Sequence, residues 1–353
     1  MKTLCSLLML MLALGALTAQ AQTSSNVSVF ATGFSNPRGL KWGPDGNLYV
    51  AEGGTGGRSP ATIGKCAQVP APIGPYTGGW SARISKVTPD GTRTTLVSNL
   101  PSSSAAIGDV QGVADVAFLG DQMYALLSGA GCSHAHPAIP NSVLKIEPDG
   151  TWSYLANLSA FLQLHPVKHP NPPDFEPDGT WYNLIAADGV LYAVEPNHGE
   201  IDAITSSGVV TRLIDISATE GHIVPTSIAR TPIGFTVGNL DLFPIVPGSA
   251  SRILVTPLGG IKKAIPGLTT VVAVVVNGSD TYYLELNDAP GFPGVGNGKV
   301  VRTRGGLGTV TIATGLTVPT GMTMGPDGNL YVSNFGAVPA PAGIGQIVKI
   351  TLP

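Results

Sequence analysis

Short apolar runs, alternating or rich in β-branched residues, recur along this chain and are broken by Gly- and Pro-containing turns. Residues 36–52 read NPRGLKWGPDGNLYVAE, and residues 319–334 read PTGMTMGPDGNLYVSN. In each, a PDGN turn separates two apolar runs, the mark of a β-hairpin. Weaker copies lie between them. A phrase repeated at such intervals builds a radial or solenoid array rather than a single ordinary core.

Each repeat parses as four strands. After the hairpin comes a third run carrying a basic or polar residue: ARISKV (82–87), SVLKIE (142–147), GEIDAI (199–204), SRILVT (251–256), GKVVRT (298–303) and QIVKIT (346–351). A fourth follows a Gly-containing turn: TRTTLVSNL, TWSYLANLS, VVTRLIDIS, IKKAIPGLT and TVTIATGL. The sixth fourth strand is missing after the last repeat, but VSVFATGF at 27–34 matches TVTIATGL closely. An N-terminal strand that completes the last blade closes a ring and leaves no free edge. The expected fold is therefore all-β, a six-bladed β-propeller closed by its N-terminal strand. From Gly43 to Gly325 is 325 − 43 = 282 residues over five blades, about 56 each, as four strands with generous loops require. Residues 22–353 are expected to form one such domain.

In an up-and-down blade, the first and third turns emerge on one face of the ring. The second turn and the connection between blades emerge on the other. The first face is trimmed, with short PDG or AADG turns at 44–46, 89–91, 148–150, 186–189 and 326–328. The second carries the insertions 53–81, 101–112, 129–141, 159–179, 239–250, 287–297 and 335–345. Function is expected on this long-loop face.

Composition narrows the setting. Lys2, the apolar run Leu7–Leu17 and the small-x-small site Ala19-Gln20-Ala21 read as a signal peptide over residues 1–21. The expected location is therefore secreted or periplasmic, without a membrane anchor, the last residues IVKITLP reading as a strand. Charged residues are only 12% and the formal net charge is −3. With no basic cluster, nucleic acid is excluded as an expected partner. A monomer is expected. Cys5 falls in the signal peptide, which leaves Cys66 and Cys132 in insertions of neighbouring blades. A disulfide between them is the expectation, and free thiols or metal ligands the alternative.

Chemistry-bearing residues gather on the long-loop face. All six histidines map there: His134, His136, His165, His169, His198 and His222. Of these, His198 and His222 are the best placed for acid–base or metal chemistry. Positions ending the second strands are expected to point at the channel mouth. They are Glu52, Glu195, Glu285 and Asn334, with Asn197, Asn239 and Asn287 close behind. Converging oxygens of Glu52, Glu195, Asn239 and Asn334 could hold Ca²⁺ or another divalent cation. No G-x-S-x-G, H-E-x-x-H, phosphate-binding Gly loop or C-x-x-C-H motif occurs.

The stretches PRGLKWGPDGNLYVAEGG (37–54) and WYNLIAADGVLYAVEPNHGEI (181–201) resemble the ScyD/ScyE family over essentially the whole mature chain. These are secreted bacterial six-bladed propellers related to NHL and TolB-like propellers. The resemblance implies the fold and export and brings no catalytic residues to carry across. The favoured reading is a non-catalytic scaffold that binds a ligand, glycan or protein on its long-loop face. The alternative is an enzyme similar to metal-dependent lactonases of the regucalcin type or to quinone-dependent sugar dehydrogenases. In the dehydrogenase version, Arg38 is the one cation placed at the channel mouth.

Overall fold

The computed structural model describes residues 22–305, 308–337 and 341–353. The expected signal peptide, residues 1–21, lies outside the described residues. Strand β1 is Val27–Phe34. Blade 1 follows as β2 (Pro37–Trp42), β3 (Leu48–Glu52), β4 (Thr77–Val87) and β5 (Arg93–Ser104), with a short β6 (Val110–Gln111) at its edge. Blade 2 is β7 (Val113–Leu119), β8 (Gln122–Leu127), β9 (Ser142–Ile146) and β10 (Trp152–Asn157). Helix α1 (Leu158–Leu164) leads to blade 3: β11 (Asn183–Ala187), β12 (Val190–Glu195), β13 (Glu200–Ile204) and β14 (Val210–Asp215). After α2 (Ser217–Glu220), blade 4 is β15 (Pro225–Thr231), β16 (Gly234–Asn239), β17 (Ala250–Val255) and β18 (Ile261–Leu268). Blade 5 is β19 (Val271–Asn277), β20 (Asp280–Glu285), β21 (Gly298–Arg304) and β22 (Val310–Leu316). Blade 6 is β23 (Gly321–Met324), β24 (Leu330–Asn334) and β25 (Gly345–Ile350).

The protein is a six-bladed β-propeller. Strand β1 pairs antiparallel with β25, from Val27 opposite Ile350 to Phe34 opposite Gly345, so blade 6 holds both ends of the chain. The first strand of every blade touches the first strands of its two neighbours around the ring. These inner strands are latched by side chains rather than by sheet ladders. Asp115 accepts from Asn183 Nδ2 (2.7 Å) and Leu184 N (3.0 Å), and Asn183 Oδ1 accepts from Ile228 N (3.0 Å), which ties blades 2, 3 and 4. A side chain at Gly39 would collide with the Asp115 carboxylate, its Cβ falling 1.8 Å from Oδ1.

The core lies in the seams, one apolar cluster between each pair of adjacent blades. Strand alternation makes this possible, since successive residues face opposite seams. In β3, Tyr49 and Ala51 pack toward blade 2, while Leu48 and Val50 pack toward blade 6.

The repeated PDGN phrase has a structural job. Asp45 accepts from Asn47 N (3.1 Å), Tyr49 Oη (2.8 Å) and Lys86 Nζ (2.8 Å). Asp327 repeats this with Asn329 N (3.1 Å), Tyr331 Oη (3.0 Å) and Lys349 Nζ (2.6 Å). Gly46 and Gly328, at φ 76° and 77°, supply the left-handed turn residue. The phrase is a turn clamp.

Two features depart from the expected strands. The outer hairpin of blade 1 is longer, with β4 beginning at Thr77 and β5 running to Ser104, because Gly78, Gly79 and the small serines 102–104 pair closely. The insertion after blade 2 contains α1, whose N-terminus is capped by Asn157 accepting from Ala160 N at 2.9 Å. Among the described residues no helix is long and apolar enough to cross a membrane.

Candidate functional site

The two faces differ as expected. Every first and third turn within a blade is short, and every long connection lies on the other face. Cys66 and Cys132 form a disulfide that joins the insertions of blades 1 and 2.

The residues that end the second strands do not form an oxygen ring at the channel mouth. Glu52 follows Leu48 and Val50 in alternation and points into the seam toward blade 6. There it is fully buried, accepts from Ser35 N at 2.6 Å and pairs with Arg83 (2.8 Å) and Arg93 (3.1 Å). Glu195 accepts from Thr180 N (2.7 Å) and His198 N (2.5 Å). Glu285 accepts from Thr269 N (3.0 Å) and faces Lys299 (3.2 Å), and Asn334 accepts from Thr317 N (2.7 Å). In all four blades the acceptor takes a backbone N–H of the segment arriving from the preceding blade, so the set is a repeated entry clamp.

Asn239 bonds Ser251 from both ends of its amide. Asn287 closes its own loop through Ala289 O and Gly294 N. Asn197 sits half-buried in the turn between β12 and β13. The proposed cation ligands Glu52, Glu195, Asn239 and Asn334 are thus committed one by one within their blades. Among the described residues no group of three or more His, Cys, Asp or Glu is placed to hold a metal ion. Each of the four has hydrogen-bond partners of its own instead.

The channel mouth is built from other residues. Tyr182, just before β11, donates its phenol to Thr320 O (2.9 Å), which belongs to blade 6 on the opposite side of the ring. Its surroundings push the phenol up to about 12, chiefly by burial. The Arg38 guanidinium stands 5.9 Å from the Tyr182 ring centre, donates to Val110 O (2.5 Å) and pairs with Asp109 (3.3 Å). A phenol and a paired guanidinium therefore meet where blades 1, 3 and 6 come together.

The histidines separate into pairs with different neighbours. His134 is fully buried, with its Nδ1 3.2 Å from Ser133 Oγ and its Nε2 3.5 Å from Glu176 Oε2. Burial lowers His134 to about 4 and pushes Glu176 well up, its carboxyl further raised by Glu195 and Asp174. The two groups therefore meet as neutral imidazole and neutral acid, not as an ion pair. Tyr76 reaches the same carboxyl at 3.5 Å, and Asp178 accepts from Ser133 N and Oγ, both at 2.7 Å. In form this is an acid–base cluster; at 2% exposure or less, His134, Tyr76 and Glu176 are closed to solutes and knit the loops of blades 1, 2 and 3. His198 bonds Glu176 O through Nε2 (2.8 Å), and His222 bonds Asp174 (2.9 Å). Neither meets the other. Sequence reasoning missed Tyr76, Glu176 and Tyr182 because their partners lie far off in the chain, Glu176 100 residues from Tyr76 and Thr320 138 residues from Tyr182.

Part of what the long-loop face offers to solvent is apolar, at the tips of two paired loops. The loop between β16 and β17 and the loop between β20 and β21 are joined by paired backbone bonds between Ile245 and Gly291 (2.6 and 3.1 Å). Their tips present Leu242, Phe243, Val246, Phe292 and Val295, each between 44% and 72% exposed. The rings of Phe243 and Phe292 lie nearly parallel, 5.9 Å apart. Beside the disulfide, Trp80 stands exposed and edge-on to His136 (4.9 Å) over a cleft of about 270 Å³.

No family model matches the chain, and no curated protein matches it in sequence. Solved structures do match its shape. A putative glucose dehydrogenase from Thermus thermophilus aligns over 94% of this chain and 100% of its own at 15% identity, TM-score 0.56. A gluconolactonase from Xanthomonas campestris aligns over 93% and 89% at 10% identity, TM-score 0.55. Regucalcin from Agrobacterium tumefaciens, a calcium-binding protein, aligns over 92% of each chain at 14% identity, TM-score 0.55. At these identities the likeness is one of fold.

Proposed function

We propose that this protein is an exported, non-catalytic propeller that docks a protein partner through its long-loop face. The observation that carries the reading is the contiguous apolar tip of the paired loops of blades 4 and 5. Soluble proteins rarely expose such clusters except where a partner covers them. Stacked Phe243 and Phe292 have the character of interface anchors, rigid and large. The loops that bear them contain Asp241 and Asp288 and no Lys, Arg or His over 240–249 and 286–297. Asp288 pairs with Lys299 at 3.4 Å, so the tips present an apolar surface of little net charge, which suits an apolar patch on a protein partner.

The commitment of Glu52, Glu195, Asn239 and Asn334 within their own blades favours binding over a metal-dependent lactonase. The Cys66–Cys132 disulfide supports an oxidising compartment, in keeping with the proposed signal peptide. Membership of the ScyD/ScyE family is part of the same proposal and rests on residues 37–54 and 181–201.

A photo-crosslinking residue at Val295 or Val246, in the native extracellular protein fraction, tests the reading. One dominant adduct, lost in the Phe243→Ser/Phe292→Ser double variant at unchanged thermal stability, is the expected result. Crosslinks no different between the two proteins would refute it.

A further inference from the structure

The opposite, short-turn face carries a cleft of about 450 Å³ at the seam where the ring closes. One wall comes from blade 1 and the other from blade 6 with its N-terminal strand. Three aromatic rings form its floor. Phe30 and Trp42 each meet Tyr331 edge-to-face, with centroids 5.0 and 5.1 Å apart, and lie 6.3 Å from one another. Charged groups rim it: Asp90 on an exposed turn, and the Asp327–Lys349 pair, whose charges cancel at 2.6 Å.

We propose that this cleft binds a pyranose sugar. Lys349 Nζ already stands 5.9 Å over the buried Tyr331 ring, so the cleft does not call for a second cation, and the half-buried rings of Phe30 and Trp42 give it apolar surface of the kind that packs on the C–H face of a pyranose. Asp90 and the Asp327–Lys349 pair are bonded within their own turns, and the lone pairs and ammonium protons left over face the ring hydroxyls. The volume lies in the range of small-ligand sites. The rim offers Asp90 beside an already neutralised pair, so it suits a neutral polyol better than an anion.

Internal symmetry shows that the fold does not demand the aromatic floor. Trp42 ends the first strand of blade 1 opposite Leu48, where Met324 ends that of blade 6 opposite Leu330. A flexible aliphatic side chain thus satisfies the same register position.

The site lies on the opposite face from the proposed protein-docking tips, and either can fail without the other. The test is saturation-transfer NMR on the mature protein with methyl pyranosides of glucose, galactose, mannose, xylose and N-acetylglucosamine. The expected result is transfer concentrated on the ring C–H protons of at least one glycoside, with a saturable rise in melting temperature. Both effects should fall at least tenfold in Trp42→Met, which copies blade 6, and weaken in Asp90→Asn. No transfer to any glycoside, or transfer unchanged in both variants, would overturn the proposal.

Discussion

The phenol of Tyr182 on blade 3 is bonded to the carbonyl of Thr320 on blade 6, straight across the ring. The bond ties two blades on opposite sides of the ring, 138 residues apart in sequence. Arg38, held by Val110 and Asp109, covers the same ring.

Removing that bridge has a graded effect. Tyr182→Phe deletes one hydrogen bond and should cost about 1 kcal/mol. Tyr182→Ala also opens a cavity and should cost about 3–5 kcal/mol. Denaturant unfolding of the two variants checks the ranking; equal losses would show that the hydroxyl sets the whole effect.

Glu52 clamps the point where the N-terminal strand enters blade 1. Glu52→Ala strands Arg83, Arg93 and the Ser35 N–H without their shared acceptor. The expected loss is about 3–5 kcal/mol. Hydrogen exchange should show β1 and blade 6 opening before the rest.

The disulfide closes a loop of 66 residues between Cys66 and Cys132. The chain-entropy relation gives about 4 kcal/mol for a loop of that length. Cys66→Ser/Cys132→Ser should lower the denaturation midpoint accordingly. The Trp80 cleft should lose order with it, seen as faster proteolysis of residues 53–76.

Acid should weaken the protein through His134. Its value is about 4 in the folded chain against 6.5 when free, so between these values only the unfolded chain takes up the proton. Taken alone, His134 should lower stability by about 3 kcal/mol as pH drops from about 6.5 to 4, against the opposite pull of the raised Glu176 carboxyl, and the difference between the wild-type and His134→Asn pH profiles isolates it. Glu200 and Asp202 act in the opposite sense. Burial pushes both carboxyls up, with the Asp202 charge adding at Glu200 and the Glu195 charge adding at Asp202, so stability falls as pH rises through their folded values. Asp202→Asn should raise the melting temperature at mildly alkaline pH and change it little in acid.

Most of the fold was legible. The match of VSVFATGF to TVTIATGL identified β1 as the closing strand, and the third- and fourth-strand segments lie within a few residues of where the structure has them. The sites were less so, for a reason visible in β3. Glu52 shares the alternation of Leu48 and Val50, both directed into the blade 6 seam, and that period carries its carboxylate to Arg83 and Arg93 instead of the axis. The same holds for Glu195 after Leu191 and Ala193. The apolar tips at Phe243 and Phe292 come together through the Ile245–Gly291 bridge, a contact between blades that no local pattern records.

If the residues around the ring axis serve structure, none of them holds a tightly bound metal. Elemental mass spectrometry of the mature protein, exported and purified without chelator, decides this most directly. Ca, Zn and Mn should each lie far below one ion per chain, with no change in Glu195→Ala. One tightly held divalent ion per chain, lost in Glu195→Ala at retained fold, would contradict the structural role of these residues.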